Sequence, residues 1–414
     1  MRKIMSSLDV GANELKLVVG EMIKDKLNIL STCTIPIDCI KKGKITDKET
    51  MKISLKQLFS DAEKKLGFKI KKTLVTVPSE SAMFVIGNAK VDIENEEQLV
   101  TSKDLVNVVR LSAKNVVQDN AELVTIIPIN YTLDDGTKVI DPKKRFSKTL
   151  EVKTVIVSGL KSEIYPILEC LEEISIDVID ISYDSLGDYF AFKNKNTENK
   201  VGAIVNIGAC KTTVSIFNKG VLTNTALFYL GGNNIDNDIS YIYNLDKGIS
   251  KELKENLSLA NTKLASKNDY EEVVNKDGQK LKISQYDISK SVESRLEEIL
   301  NIAKKQINVL TKKEISYIIF TGGVTEMADF KLSLEEVFGK RVTLGSINIL
   351  GVRDNKYSSA VGLIKWFDYN QRLKGRDYSI LSLNEQTDYS EMDEERTISN
   401  NSVIGKVFGY FFDN

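Results

Sequence analysis

Apolar and polar positions alternate most clearly in two stretches that are altered copies of each other. Ser6 to Gly20, SSLDVGANELKLVVG, and Gly202 to Gly220, GAIVNIGACKTTVSIFNKG, each run through Asp9 or Asn206 to an apolar residue and a glycine, Gly11 or Gly208. A few small or polar residues and a second alternating run follow in each. The pattern predicts two β-hairpins whose turn glycines let backbone N–H groups approach a phosphate without a Cβ in the way. Asp9, at the end of the first strand, is placed to hold a Mg²⁺-bound water. The repetition predicts a duplicated fold with a nucleotide between its halves.

Between and around these hairpins the periodicity predicts further elements. A strand over 27–36 completes a three-stranded meander, a helix covers 50–66 and a strand 72–78. Residues 79–160 read as an inserted α+β unit: strands over 82–91, 123–130 and 150–157, a helix over 102–117, and a turn at Asp134, Asp135 and Gly136. A helix over 161–174, a strand over 176–181 and a helix over 183–192 follow, then a polar linker over 193–200. Residues 228–310 read as mostly helical, opening on Gly231 and Gly232. A strand over 315–320 runs into Thr321, Gly322 and Gly323, where a following helix would offer free N–H groups. A closing helix over 357–366 contains Gly362, where a neighbour must approach.

Past Gln371 the sequence is polar and nearly aperiodic, which predicts a disordered tether. It ends at 402–413, where Val403, Ile404, Val407, Phe408, Phe411 and Phe412 form one helical stripe opposite Ser402, Gly405, Lys406, Gly409 and Asp413. Each phenylalanine gains roughly 1.5–3 kcal/mol on full burial, so the stripe requires a partner. That partner is either the globular part of the chain or, as the long tether suggests, a membrane surface. With few cations, lipid binding would come from apolar burial rather than charge. Gly405 and Gly409 each cost about 1 kcal/mol in a helix, so one copy would anchor only reversibly.

Composition narrows the chemistry. The 414 residues are 42% hydrophobic, enough to build two lobes. A net charge of −1 argues against nucleic acid as a partner. There is no histidine, which removes histidine triads, bases and metal ligands together. Cys33, Cys39, Cys170 and Cys210 form no CxxC pair and read as reduced cytosolic thiols. Neither a signal peptide nor a spanning apolar run is evident, so a cytoplasmic protein is expected.

Taken in order, the two hairpins, the strand ending in TGG, the insertion and the tethered apolar terminus resemble the FtsA family of actin-like bacterial cell-division proteins. KGKITD at 42–47, IIFTGGVTEM at 318–327 and YSSAVGL at 357–363 are local matches. The resemblance implies an α/β, actin-like (ASKHA) duplicated fold. Subdomain 1A would span 1–80 and 161–198, the inserted 1C 81–160, 2A 199–229 and 312–371, and 2B 230–311, with a disordered linker over 372–400 and an amphipathic helix over 401–414. It implies ATP with Mg²⁺ in the cleft, contacted by Asp9, Gly11, Ala12, Asn13, Asn206, Gly208, Thr212, Lys254, Gly322 and Gly323, with Asp9 reaching the metal through water.

The same resemblance implies protofilaments, attachment to the cytoplasmic face of the membrane at the division site, and other division proteins on 1C. The C-terminal peptide of FtsZ would dock on 2B near Arg295 and Glu298, which lie on one helix face at i, i+3. Departures from the family pattern concern catalysis. Ala12 and Glu14 stand where a hydroxyl residue and a lysine are usual, and Asn206, Ala209 and Cys210 replace an aspartate and two glycines. An amide holds Mg²⁺ less well than a carboxylate, so weak or absent hydrolysis is expected. Two other readings remain at this stage. One is a type IV pilus platform of the PilM type, and the other a sugar or acetate kinase, for which no acceptor base stands out.

Overall fold

The computed structural model describes residues 3–374, apart from 25, 78, 80, 115 and 341, together with 378–380. The first lobe begins with β1 (Lys3–Val10), β2 (Glu14–Ile23) and β3 (Lys26–Pro36), paired as an antiparallel meander. Leu17, Val18 and Val19 are all fully buried, since helices cover both faces of this sheet. A clip of β4 (Ile40–Lys41) and β5 (Lys44–Ile45) turns at Lys42 and Gly43, both at positive φ. In α1 (Lys48–Leu66) the Asp47 carboxylate accepts from the N–H groups of Glu49 and Thr50, and Gly67 at φ +77° ends the helix. β6 (Lys72–Val77) then pairs parallel to β1.

The insertion consists of β7 (Met83–Asp92), α2 (Ser102–Ser112), β8 (Ala121–Leu133), β9 (Lys138–Val139) and β10 (Thr149–Leu160), in sheet order β7-β10-β8-β9. Val108, Leu150 and Val152 anchor a core of its own. The Thr101–Asp104 capping box starts α2. The helix stops at Ser112 rather than Val117; the Ser112 hydroxyl donates to Val109 O and meets Thr154 Oγ1 at 3.0 Å, competing with the helical ladder. The chain returns to the first lobe through α3 (Lys161–Glu173), β11 (Asp177–Tyr183) and α4 (Asp184–Phe192), then a single turn, α5 (Lys195–Glu198), inside the expected linker.

The second lobe repeats the plan. β12 (Val201–Ile207), β13 (Thr212–Asn218) and β14 (Val221–Phe228) form a second antiparallel meander. There follow α6 (Gly232–Tyr243), α7 (Lys247–Asn256), a hairpin of β15 (Tyr270–Val274) and β16 (Lys280–Ser284), and α8 (Gln285–Leu310). β17 (Tyr317–Thr321), α9 (Phe330–Phe338) and β18 (Val342–Leu344) complete the lobe, and α10 (Ser358–Leu373) crosses back to the first. The sheet orders β3-β2-β1-β6-β11 and β14-β13-β12-β17-β18 match strand for strand. In each, an antiparallel meander is extended by two parallel strands beside its first member.

Two details differ from expectation. The segment 228–310 is not purely helical: the β15–β16 hairpin turns at Asn275–Gln279, where the Asn275 side chain accepts from the Asp277 and Gln279 N–H groups and Gly278 takes φ +78°. No α-helix starts at Gly323 either; Gly323–Glu326 is one 3₁₀ turn and α9 begins at Phe330. Beyond α10 the chain stays on the first lobe, with the Ile380 N–H donating to Ile4 O at 2.8 Å and Tyr378 packed edge-on against Phe367. Val403, Ile404, Val407, Phe408, Phe411 and Phe412 lie outside the described residues, as does most of the 372–400 stretch.

Candidate functional site

The β1–β2 and β12–β13 turns face each other across the line between the lobes. In the first, the Gly11 N–H donates to Glu14 O at 3.1 Å, and a Cβ at Gly11 would come within 2.8 Å of that same oxygen. In the second, the Gly208 N–H donates to Lys211 O at 3.0 Å. Among the described residues no acceptor takes the backbone N–H groups of Ala12, Asn13, Ala209 or Cys210. Two facing turns with unclaimed N–H groups suit an anion.

The first turn is not short of a cation. The hairpin register sets Lys16 opposite Asp9, and Lys16 Nζ lies 2.9 Å from Asp9 Oδ2 and 3.9 Å from Glu14 Oε1. Burial by itself would lower the Lys16 pKa, but Asp9, Glu14 and the more distant Asp188 outweigh it and the net shift is upward. The other oxygen of Asp9 accepts from Thr76 Oγ1 at 2.9 Å. Lys356 Nζ stands 3.9 Å from Glu14, so that carboxylate lies between two ammonium groups. Lys16 and Lys356 escaped the sequence reading. For Lys16 the available signal was its mirror position to Asp9 across a tight turn.

Neutral side chains join the two loops. Asn13 donates from Nδ2 to Asn233 Oδ1 at 2.8 Å, the Cys210 thiol donates to Asn13 Oδ1 at 3.0 Å, and Asn233 Nδ2 approaches Cys210 Sγ at 3.3 Å. Burial raises the Cys210 thiol pKa, with Lys211 opposing it, so the thiol stays a donor. The carbonyls of Gly208 and Ala209 accept from Gly232 and Asn233, tying the second loop to the start of α6. A Cβ at Gly231 would lie 2.3 Å from Gly208 O, so this junction requires glycine.

Behind the second loop, Asn206 donates from Nδ2 to Asp188 Oδ2 at 2.7 Å. Asp188 Oδ1 accepts from Ser358 at 2.5 Å and Ser359 at 2.9 Å, so one carboxylate joins α4, β12 and α10. Burial, reinforced by Asp184, pushes the Asp188 pKa up to about 7 against those hydrogen bonds. Gly322, at φ +97°, lets β17 lie against Asn206, whose Oδ1 would be 2.4 Å from a Cβ there. At Gly323 the nearest atom to such a Cβ is 3.8 Å away, leaving that side open. Thr212 is fully buried with its hydroxyl donated to Leu230 O. Lys254 is buried beside α6, 2.7 Å from Asp236 Oδ1 and 3.3 Å from Gly232 O.

The structure therefore gathers Asp9, Gly11, Ala12, Asn13, Asn206, Gly208, Gly322 and Gly323 around one interlobe site, with Lys254 at its α6 edge. Arg295 and Glu298 lie elsewhere, on α8. There the Arg295 guanidinium forms a two-pronged pair with Asp238 of α6, at 2.6 and 2.8 Å, and also contacts Glu298. Hydrogen bonding to Asp238 raises the Arg295 pKa further, so this cation already has anionic partners. Among the described residues, no cluster of carboxylate, cysteine or histidine groups is suited to a metal ion, and no helix is long and apolar enough to cross a membrane.

Comparison with known proteins matches a family model described as cell division protein FtsA to residues 203–362, and one described as the SHS2 domain inserted in FtsA to residues 83–158. The FtsA of Bacillus subtilis (strain 168) is 30% identical over 372 residues, covering 89% of this chain and 84% of that protein. The FtsA of Streptococcus pneumoniae serotype 2 is 23% identical over 359 residues, covering 86% and 79%. Among solved structures, the PilM–PilN type IV pilus biogenesis complex aligns with a TM-score of 0.58 at 13% identity, covering 87% of this chain and 97% of that one. MreB5 of Spiroplasma citri bound to ADP aligns at 0.53 and 12% identity, covering 90% and 98%. The shared architecture is the actin-like fold.

Proposed function

Because the chain belongs to the FtsA family of cell-division proteins, we propose that it is a nucleotide-holding scaffold that ties FtsZ to the cytoplasmic membrane at the division site. On this reading the C-terminal peptide of FtsZ docks on the 2B-like part, residues 230–311, and residues 401–414 hold the membrane. Self-association through the actin-like core and contacts of the insertion with other division proteins complete the picture. ATP would lie between the two turns, its phosphates on the N–H groups of Ala12, Asn13, Ala209 and Cys210, with Lys16 as counter-charge. Bound ATP supplies a phosphoanhydride and a charge that both lobes can grip at once. Mg²⁺ would have to share Asp9 with the Lys16 ammonium.

The observation that carries the scaffold reading is that Asp9 and Asp188 are already hydrogen-bonded on both carboxylate oxygens. Asp9 is taken by Lys16 and Thr76, Asp188 by two serines and Asn206, and Glu14 stands between Lys16 and Lys356. A hydrolytic base needs a free lone pair aimed at water. A docking FtsZ tail would meet an Arg295 guanidinium already held by Asp238 and Glu298.

The test is co-sedimentation of FtsZ with lipid vesicles, using the full chain and a chain stopped at Asn400, with phosphate release measured in parallel. FtsZ should pellet with lipid only beside the full chain, and phosphate release should stay near background. Equal pelleting with both chains would remove the tether. Rapid phosphate release would remove the scaffold reading in favour of an enzyme.

A further inference from the structure

A cavity of about 440 Å³ lies where the insertion meets the first lobe and the β13–β14 turn of the second. Its walls are largely carbon: Leu105 of α2, Ile127 and Ile129 of β8, Tyr189 of α4, and Trp366 and Tyr369 of α10. A volume of this size lies within the range of sites that enclose small apolar ligands. Neither the nucleotide site nor the 2B-like part uses it. Its lining also carries Lys193, paired with Glu198 at 3.3 Å, with Lys219 and Asp141, while the buried Lys374 ammonium interacts with Asp180, so the charges there are close to balanced.

The helix that closes this cavity also delivers the rest of the chain. Trp366 and Tyr369 of α10 face the cavity, while its Phe367 holds Tyr378, and the described chain ends with the Ile380 N–H donating to Ile4 O. From Ile380 a polar stretch, 381–402, leads to the apolar stripe. A polar chain of that length has a root-mean-square reach of roughly 25 Å. The whole of α10 is only about 24 Å long at 1.5 Å per residue.

We propose that this cavity is the intramolecular seat of the chain's own terminal stripe, 403–412, which is sheathed there until a membrane takes it. The proposal rests on the membrane reading of 401–414. Tethering makes a weak contact sufficient. At an effective concentration of about 1 mM, a site with a dissociation constant of about 100 µM for the free segment is about nine-tenths filled. Lipid binding of the full chain is reduced by the same sheathed fraction.

Trp366 is the chain's one tryptophan, so it serves as a fluorescence donor in the cavity wall. The experiment titrates a synthetic 401–414 peptide, dansylated at its N-terminus, into the chain stopped at Asn400. The hydrophobic cores are built from residues up to Ile380, so that chain keeps them. Saturable energy transfer is expected near 100 µM, at least fivefold weaker to the full chain, and lost when the peptide carries Phe408→Asp and Phe411→Asp. In the full chain, cavity-filling Val109→Phe should raise the fraction bound to phosphatidylglycerol vesicles by about threefold or more.

Absence of saturable transfer to the stopped chain, while the same peptide still blue-shifts on vesicles, overturns the seat and leaves the membrane reading standing. Transfer that survives the double substitution overturns the seat as well. Transfer without any vesicle binding supports the seat and removes the membrane reading instead.

Discussion

Lys16 changes what the first turn can do. From the linear sequence, Ala12 and Glu14 look like the loss of a phosphate grip. Folding restores a cation because the β1–β2 register brings position 16 back over Asp9. Lys16→Met should weaken binding of a fluorescent ATP analogue by about tenfold or more, since a charge-assisted contact in a half-enclosed turn is lost. Glu14→Gln should strengthen it severalfold by removing a negative charge from the same turn. A fluorescence titration decides both, and the opposite order of effects would move the phosphates away from this turn. Asp188, missed from sequence like Lys16 and Lys356, gave no local signal. Its three partners come from α10 and β12, and only tertiary structure brings them together.

At the scale of elements, the crossing of α4 and α10 depends on two glycines. A Cβ on Gly362 would sit 1.6 Å from Gly187 O, and one on Gly187 would sit 2.1 Å from Ser359 O. Backbone touches backbone here, so no rotamer change relieves a larger residue. Gly362→Ala should destabilise the fold by about 3 kcal/mol or more, read as a lower urea midpoint at unchanged slope.

Gly362 was legible in the sequence because it interrupts an apolar helical run, and both meanders were legible because their alternation is long. The β15–β16 hairpin was not. Its strands are short, their outward positions are charged like those of a solvated helix, and the decisive signal is the Asp277–Gly278 turn. The helix read directly after Gly323 shows the opposite failure. A double glycine after a strand resembles a helix-leading loop, but the positive φ of Gly322 serves its packing against Asn206.

For the whole molecule, the buried carboxylates set how stability responds to pH. Asp188 has a folded pKa of about 7, well above an ordinary carboxylate. The folded state therefore binds more protons than the unfolded state between about pH 4 and 7, and stability falls as pH rises through that window. Asp180, raised by burial against the pull of Lys374, adds to the same trend. Asp47, Asp61, Asp135 and Glu173, whose pKa values are lowered, act only below that window. Asp188→Asn should flatten the loss of stability between pH 5 and 7.5, with a remainder from Asp180 and from Glu326, whose pKa burial also raises, measured by urea denaturation at each pH. Since Asp188 joins α4 to β12 and α10, its ionisation loads the junction between the lobes rather than one core.

The insertion leaves and rejoins the first lobe at neighbouring points: Met83 and Ser158 face each other across the β7–β10 pair. A unit hung from two adjacent strands behaves as a cassette. It could be cut out and its ends closed by a short turn, or exchanged for another fold with the same spacing, without stretching the lobe beneath. What would not survive the exchange is the wall it lends to the cavity, because Tyr189, Trp366 and Tyr369 would then face water. A chimera with a foreign cassette would thus keep its actin-like body while acquiring an adhesive flank, and its first symptom would be clumping rather than unfolding.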